Sequence, residues 1–343
     1  MSYNNALRII KHEKIDRPSQ WEWVANPAWV RTKMLPNENM QDTMLRLYQE
    51  YDWDFGSADD VLGIGTGSVP APLKNVTADM IYDFDPENPP EGKVIDYVQC
   101  LGVAPGCSAE QMAEVFHRKW HESQSRMGSL SLVPGAHYHQ VLHYFTTTFG
   151  WEPTMYAAYD DPNRFEKVMD RFTELTVKVN EAWAMTGVRL MICHDDLAMI
   201  DRTIFPPDWY REYIFPRYKK CWEPLKKKGI AILFMSDGKI DALLPDLMPL
   251  EPDGLFIDAP CDLLSISEKY GSRLFLIGNV NVSALIEGDA EKIKSEIRRV
   301  VQQGASCENL IIRCSSGLDE NIPPHAIQLY MDAVKEIRSE NNY

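Results

Sequence analysis

No stretch of this 343-residue chain approaches the roughly 20 consecutive apolar residues of a membrane span. The first residues, MSYNNALRIIKHEKIDRP, hold no apolar signal core and no small-residue cleavage site, so a cytoplasmic protein is expected. No CxxC pair occurs among seven scattered cysteines, at 100, 107, 193, 221, 261, 307 and 314. That argues against a disulfide framework and a zinc finger, and reduced thiols are expected. Basic residues are few: 35 Lys and Arg stand against 50 Asp and Glu, a formal charge of -15. Bulk charge of this sign does not favour nucleic acid or an anionic membrane. A local basic pocket for a small anion stays open. Internal repeats and low-complexity runs are missing as well. Disorder is excluded, because 45% hydrophobic and 25% charged residues supply material for a large core.

What is present is alternation. RLMIC (189–193) is an apolar run that ends in His194-Asp195-Asp196. An amphipathic helix is expected over about 207–228, then the strand IAILFM (230–235), ending in Ser236-Asp237-Gly238. A helix near 240–248, the strand GLFID (254–258), a helix near 263–270 and the strand RLFLIGN (273–279) follow. A helix over 282–303 leads to NLIIRC (309–314), and a last helix covers 324–339. These strands are apolar throughout, as expected for strands buried on both faces of a parallel sheet. In the first half, PSQWEWV (18–24), DWDFGSA (52–58) and SLSLVPG (129–135) read as strands, with helices near 40–51 and 163–185. Eight strand candidates, near 20, 55, 132, 191, 232, 256, 276 and 311, favour a closed (β/α)8 TIM barrel of the α/β class over an open sheet. The expectation is one barrel domain over 1–343. Residues 59–127, rich in Pro, Gly and Asp, would be an insertion or lid with short helices such as 109–121. GIGTGS (63–68) lacks the last glycine of a dinucleotide loop and the GK[ST] ending of a phosphate loop, and reads as a flexible loop.

In a parallel barrel the strand C-termini share one face, where active sites form. The candidates at those ends are His194, Asp195, Asp196, Asp237, Asp258 and Asn279, with Glu22 at the first strand. Each has a structural alternative. His194-Asp195-Asp196 can be a turn and helix cap, Asp237-Gly238 a turn, Asn279 a cap, and Glu22 a residue facing the helix layer. His137, His139 and His143 in GAHYHQVLH read as pocket lining, with metal ligation as the alternative. His117 and His121 read as a solvated helix face. Trp21, Trp23, Trp29, Trp53, Tyr138 and Tyr144 are either core or walls for a planar aromatic substrate.

The motifs HDDLA (194–198), WYREYIFPRYKK (209–220), SDGKI (236–240), DALLPDL (241–247), DGLFIDAP (253–260), KYGSRLFLIGNVNV (269–282) and SSGLDENIPP (315–324) occur in series. In that order they resemble the uroporphyrinogen decarboxylase superfamily. KHEKIDRPSQWEW (11–23) is similar to that family's entry into its first strand. The resemblance implies a barrel with its site at the C-terminal mouth, and it implies a choice of branch. The decarboxylases carry an Arg-rich segment after the first strand and a His in the last strand's loop. This chain has Trp21-Glu22-Trp23-Val24-Ala25-Asn26 and Ser316. Corrinoid-linked methyltransferases acting on coenzyme M bind zinc through His-x-Cys after the fifth strand and Cys after the eighth. This chain has Met235, Asp237 and Ser316 there, with Cys314 two residues from the last.

The resemblance then points to a demethylating member. Such an enzyme moves a methyl group from a methoxylated substrate, an aromatic ether, to the cob(I)alamin of a partner corrinoid protein. The alternatives are a decarboxylase, a methylcobamide:thiol methyltransferase with an altered metal site, and a barrel that binds a ligand without turnover. His194, Asp237 and Glu22 are the catalytic candidates. Trp23, His137, His139, Asp195, Asp258, Asn279 and Ser316 are the candidates for substrate binding. Zinc stays open, with Glu22, His194, Asp237 and Cys314 as candidate ligands. The expected partners are the corrinoid protein and the methylated substrate, and a homodimer stays open.

Overall fold

The computed structural model describes residues 2–57, 72–90, 103 and 106–340. GIGTGS, Cys100 and much of the expected 59–127 insertion lie outside them. Among the described residues the strands are β1 (Ser19–Gln20), β2 (Val24–Ala25), β3 (Gly135–His137), β4 (Leu190–His194), β5 (Ala231–Met235), β6 (Gly254–Ile257), β7 (Phe275–Gly278), β8 (Asn309–Ile312) and β9 (Leu318–Asp319). The described residues group into two compact units. One holds 2–57, 122–134 and 252–340, the other 72–90, 103, 106–121 and 135–251.

In the first unit β1 pairs in parallel with β8, β8 with β7, and β7 with β6. On the free side of β1, Asp54 donates its amide to the Gln20 carbonyl at 3.3 Å, and Phe55 forms a parallel bridge to Leu132. The strand expected near 55 is thus a single bridge, because Asp52, Asp54 and Gly56 are poor strand formers. β2 and β9 form a separate parallel pair just beyond β1 and β8 in the chain. The helix expected over 282–303 is two helices, Val282–Glu287 and Ala290–Gln303. Gly288 turns the chain at φ +69°, and the Asp289 carboxylate accepts the Lys292 amide at 2.9 Å to start the second helix.

In the second unit β3, β4 and β5 run in parallel register, with His137 opposite Cys193 and His194 opposite Met235. Every residue of β4 and β5 is buried. The helices Pro162–Ala184 and Phe215–Lys227 pack on each other. Their buried stripe includes Phe165, Met169, Phe172, Leu175 and Val179 on one helix and Tyr218, Trp222 and Leu225 on the other. Burying one such large apolar side chain stabilises the fold by roughly 1.5–3 kcal/mol. The helix expected over 207–228 widens into a π turn over Tyr210–Ile214. Pro216 lies two residues on; it has no N–H to give and would crowd the carbonyl of a regular turn. The helix expected near 240–248 is three short turns, Asp241–Leu243, Leu244–Leu247 and Met248–Leu250, since Pro245 and Pro249 interrupt the hydrogen-bond ladder.

All eight expected strand positions make parallel pairings, seven as strands and one as the Phe55 bridge. The element order is that of a (β/α)8 barrel. Among the described residues no helix is long and apolar enough to cross a membrane.

Candidate functional site

β3, β4 and β5 are in parallel register, so the residues that follow them share one edge of the second unit. Those residues are Tyr138-His139, Asp195-Asp196 and Ser236-Asp237, with His137 and His194 closing β3 and β4.

Asp195 is fully buried. Its carboxylate accepts the amides of Val141 (3.0 Å), Leu142 (2.9 Å) and His143, and the Tyr218 hydroxyl at 2.7 Å. These amides open the helix Leu142–Phe149, where unpaired N–H groups favour a negative charge. Burial raises the Asp195 pKa to about 6 against the pull of Tyr218 and the amides. Both of its oxygens are engaged in this way, so Asp195 fastens the start of that helix, and His143 with it, to the end of β4.

His194 is buried, and its Nδ1 donates to the Tyr138 carbonyl at 2.8 Å. The two rings stack at 4.0 Å between centroids. A carbonyl only accepts, so this bond fixes the tautomer and leaves Nε2 to face the site. Nε2 lies 3.2 Å from Asp196 Oδ1 without the alignment of a hydrogen bond. Nδ1 of His143 lies 3.3 Å from Asp196 Oδ2, also without that alignment. Asp196 Oδ1 accepts the Asp237 amide at 3.2 Å.

Burial pushes the His194 pKa down, but Asp196 outweighs it and the net shift is upward, with Asp237 adding to the rise. Asp196 is held at about 2, because the His194 partner outweighs burial. Burial lowers His143 to about 4, against the pull of Asp196.

His137 and His139 back this cluster. Nε2 of His137 pairs with the Tyr144 hydroxyl at 2.7 Å, and burial lowers its pKa to about 3. The His139 ring stands edge-on to His143 at 4.6 Å and stacks on Tyr144 at 5.2 Å. Asp237 is exposed and followed by Gly238 at φ +78°. A Cβ on Gly238 would stand 2.5 Å from the Ala198 carbonyl oxygen, so only glycine fits where the β5 loop meets the 198–203 turn.

The remaining candidates lie in the first unit. Glu22 is buried and accepts from the Tyr330 hydroxyl (2.6 Å), Gln20 Nε2 (3.2 Å) and the Cys314 amide (3.3 Å). Tyr330 belongs to the helix Pro324–Ser339, so Glu22 faces the helix layer. Burial raises its pKa to about 7. Trp23 and Trp21 lie instead under the Arg313 guanidinium, 4.5 and 5.1 Å from their ring centres. Asp258 accepts the Ala259 amide at 2.7 Å. Asn279 donates to the Asp258 carbonyl at 3.2 Å and accepts from Arg299 at 3.1 Å. The helix cap considered for it is made by Asn281, which accepts the Ser283 amide at 2.9 Å. Ser316 is exposed in the turn after β8, and Cys314 is a buried thiol whose pKa burial pushes up.

Zinc held as in the thiol-activating relatives does not fit this chain. Met235 is a buried thioether and Ser316 a hydroxyl, neither of them a ligand of the expected kind. Among the described residues one group of three His, Cys, Asp or Glu side chains has ligand atoms close enough for a shared ion: His143, His194 and Asp196, all within 4.8 Å. The sequence placed His194 and Asp196 together. It paired His143 with His139, and gave no sign that both meet His194. Arg313 carries no sequence signal of its own, lying within the apolar run NLIIRC.

Residues 144–337, more than half of the chain, match the family model of uroporphyrinogen decarboxylase (URO-D). The chain belongs to the uroporphyrinogen decarboxylase family. His194, Asp196 and Asp237 lie inside the matched range, and His143 one residue before it. This URO-D family member is 22% identical over 179 residues to the uroporphyrinogen decarboxylase of Syntrophotalea carbinolica, covering 52% of the chain and 50% of the relative. It is 22% identical over 183 residues to that of Trichlorobacter lovleyi, covering 53% and 51%. The chain thus spans about half the length of the curated relatives it matches. A methyltransferase structure from Methanosarcina mazei superposes with a TM-score of 0.64 at 16% identity, covering 98% of both chains. With the strand pairing above, the fold of this URO-D family member is a (β/α)8 barrel of the α/β class.

Proposed function

We propose that this URO-D family member is a methyltransferase. It moves a methyl group from a methoxylated substrate, an aromatic ether, to the cob(I)alamin of a partner corrinoid protein. The observation that carries this reading is the pair of buried His194 and partly exposed Asp196, flanked by His143 and by exposed Asp237 at adjoining strand ends. No thiol belongs to the His143, His194 and Asp196 group among the described residues. The methyltransferase of Methanosarcina mazei, whose fold it shares, supports the same branch.

The chemistry explains why such a cluster is needed. The electron pair of Co(I) attacks the methyl carbon and forms the Co–C bond. The C–O bond breaks, its pair stays on oxygen, and that oxygen takes up one proton from water to become a hydroxyl. A phenoxide leaves poorly unless its growing charge is met. The Tyr138 bond holds the His194 ring so that Nε2 is the nitrogen left to meet that oxygen, with the Asp196 carboxylate 3.2 Å from it. Asp237 adds its field to His194. Glu22, turned to Tyr330, acts on the fold rather than on the ether. The Arg-rich segment that the family's decarboxylases carry after the first strand is Trp21, Glu22 and Trp23 here, with Arg313 over the two tryptophan rings.

The test mixes the purified protein with reduced cobalamin, or a corrinoid carrier, and a panel of methoxyaromatics. Methyl-corrinoid formation, followed by absorbance, is expected. Failure with every methyl ether and amine, together with turnover of uroporphyrinogen at an ordinary enzymatic rate, would overturn the proposal.

A further inference from the structure

We infer that His143, His194 and Asp196 form an open site for one divalent transition-metal ion, with zinc as the occupant its donors suit best. Four-coordinate zinc has bonds of about 2.0–2.2 Å to imidazole and carboxylate, so neighbouring ligand atoms stand roughly 3.3–3.5 Å apart. His143 Nδ1 to Asp196 Oδ2 is 3.3 Å, and His194 Nε2 to Asp196 Oδ1 is 3.2 Å. The third separation, between the two imidazoles, is at most 4.8 Å.

A second observation points the same way. Nε2 of His194 and Nδ1 of His143 are buried atoms with no aligned hydrogen-bond partner, although a carboxylate lies beside each. Buried ring nitrogens left unpaired on either side of one carboxylate are what a metal site offers its ion.

The supporting shell is complete. His194 Nδ1 is bound to the Tyr138 carbonyl, Asp196 to the Asp237 amide, and the His143 backbone to Asp195. Outer partners of this kind fix the tautomer and aim of metal ligands. Two imidazoles and one carboxylate suit zinc and disfavour calcium or magnesium, which take oxygen ligands. Three protein ligands leave a fourth position open. Ion binding stands apart from the methyl-transfer reading, and with the ion bound it is the ion, not His194 Nε2, that would meet the departing oxygen. Only the ion's role, drawing charge from the departing oxygen, rests on it.

The experiment uses the full chain, stripped with a chelator and dialysed. Elemental analysis after equilibration with micromolar zinc should give one ion per chain. Cobalt(II), as a spectroscopic probe, should give intense visible bands of four-coordinate geometry that zinc displaces. Asp196→Asn, which keeps the side chain's shape, and His143→Gln should each weaken binding about 100-fold or more while circular dichroism stays unchanged. His325→Ala, an exposed histidine of the first unit, should bind as wild type does. No bound ion in wild type, or undiminished binding in both variants, overturns the site. One equivalent of iron(II) taken up in preference to zinc overturns the choice of metal. Zinc bound by wild type and lost in the variants, with no methyl ether consumed, leaves the site standing and removes the methyl-transfer reading.

Discussion

The amide of His143 donates to the carboxylate of Asp195, at the first turn of the helix Leu142–Phe149. One buried side chain thereby sets the distance between a helix start and a strand end. Asp195→Asn would turn an acceptor into a donor facing the amides of 141–143. A hydrogen bond to a charged group contributes about 1.5–3 kcal/mol, so this variant should lose roughly 3 kcal/mol of unfolding free energy. Tyr218→Phe, which removes one donor, should lose about 1–2 kcal/mol. Urea denaturation followed by circular dichroism measures both. Equal stability of Asp195→Asn and wild type would contradict the tether.

His194→Ala and Asp237→Ala should each slow methyl transfer. Losing one well-placed group that meets developing charge typically costs about 10²–10³ in rate. Asp237 is exposed, so its variant should keep the wild-type melting temperature. Stopped-flow formation of methyl-corrinoid is the readout. Wild-type rates in both folded variants would show that the chemistry happens elsewhere.

Glu22 predicts a pH effect on stability. Burial raises its folded-state pKa from 4.5 to about 7. Below pH 4.5 the group is protonated in both states. Between pH 4.5 and 7 the folded chain keeps the proton more tightly, so its stabilising contribution is lost as pH rises. The loss is at most about 3 kcal/mol. Glu22→Gln removes this dependence. The stability of that variant relative to wild type should therefore rise from pH 4.5 to pH 8. A flat difference across that range in denaturation midpoints would mean that Glu22 titrates normally.

Gly238→Ala should be costly despite its small size. The added Cβ meets main-chain atoms at 198–199, and the backbone there has φ +78°. Roughly 1–3 kcal/mol of destabilisation is expected. Calorimetry would reveal it, and a melting temperature equal to wild type would show that the 198–203 turn moves aside freely.

The second-half strands were readable because each is an unbroken apolar run closed by a polar cluster. HDD and SDG after β4 and β5 drew attention to His194 and Asp237 for that reason. The direction of each side chain was not readable. Asp195 and Asp196 are adjacent and chemically alike, yet one turns to helix amides and the other to imidazoles, a choice made by the backbone at the strand end. Trp21-Glu22-Trp23 alternates, which puts Glu22 opposite the tryptophans. The face that meets the helices was decided by Tyr330, 308 residues away. Within 282–303 the break was visible in principle as Gly288-Asp289, a helix stop followed by a cap, but the apolar period on both sides masked it.

The bond that fixes the His194 tautomer ends on the main chain of residue 138, not on its ring. The imidazole therefore keeps its orientation whatever side chain occupies that position. The Tyr138 ring adds a stacking contact but is not what sets the tautomer. Selection, or an engineer, can thus retune residue 138 for size and shape without disturbing the proton on Nδ1.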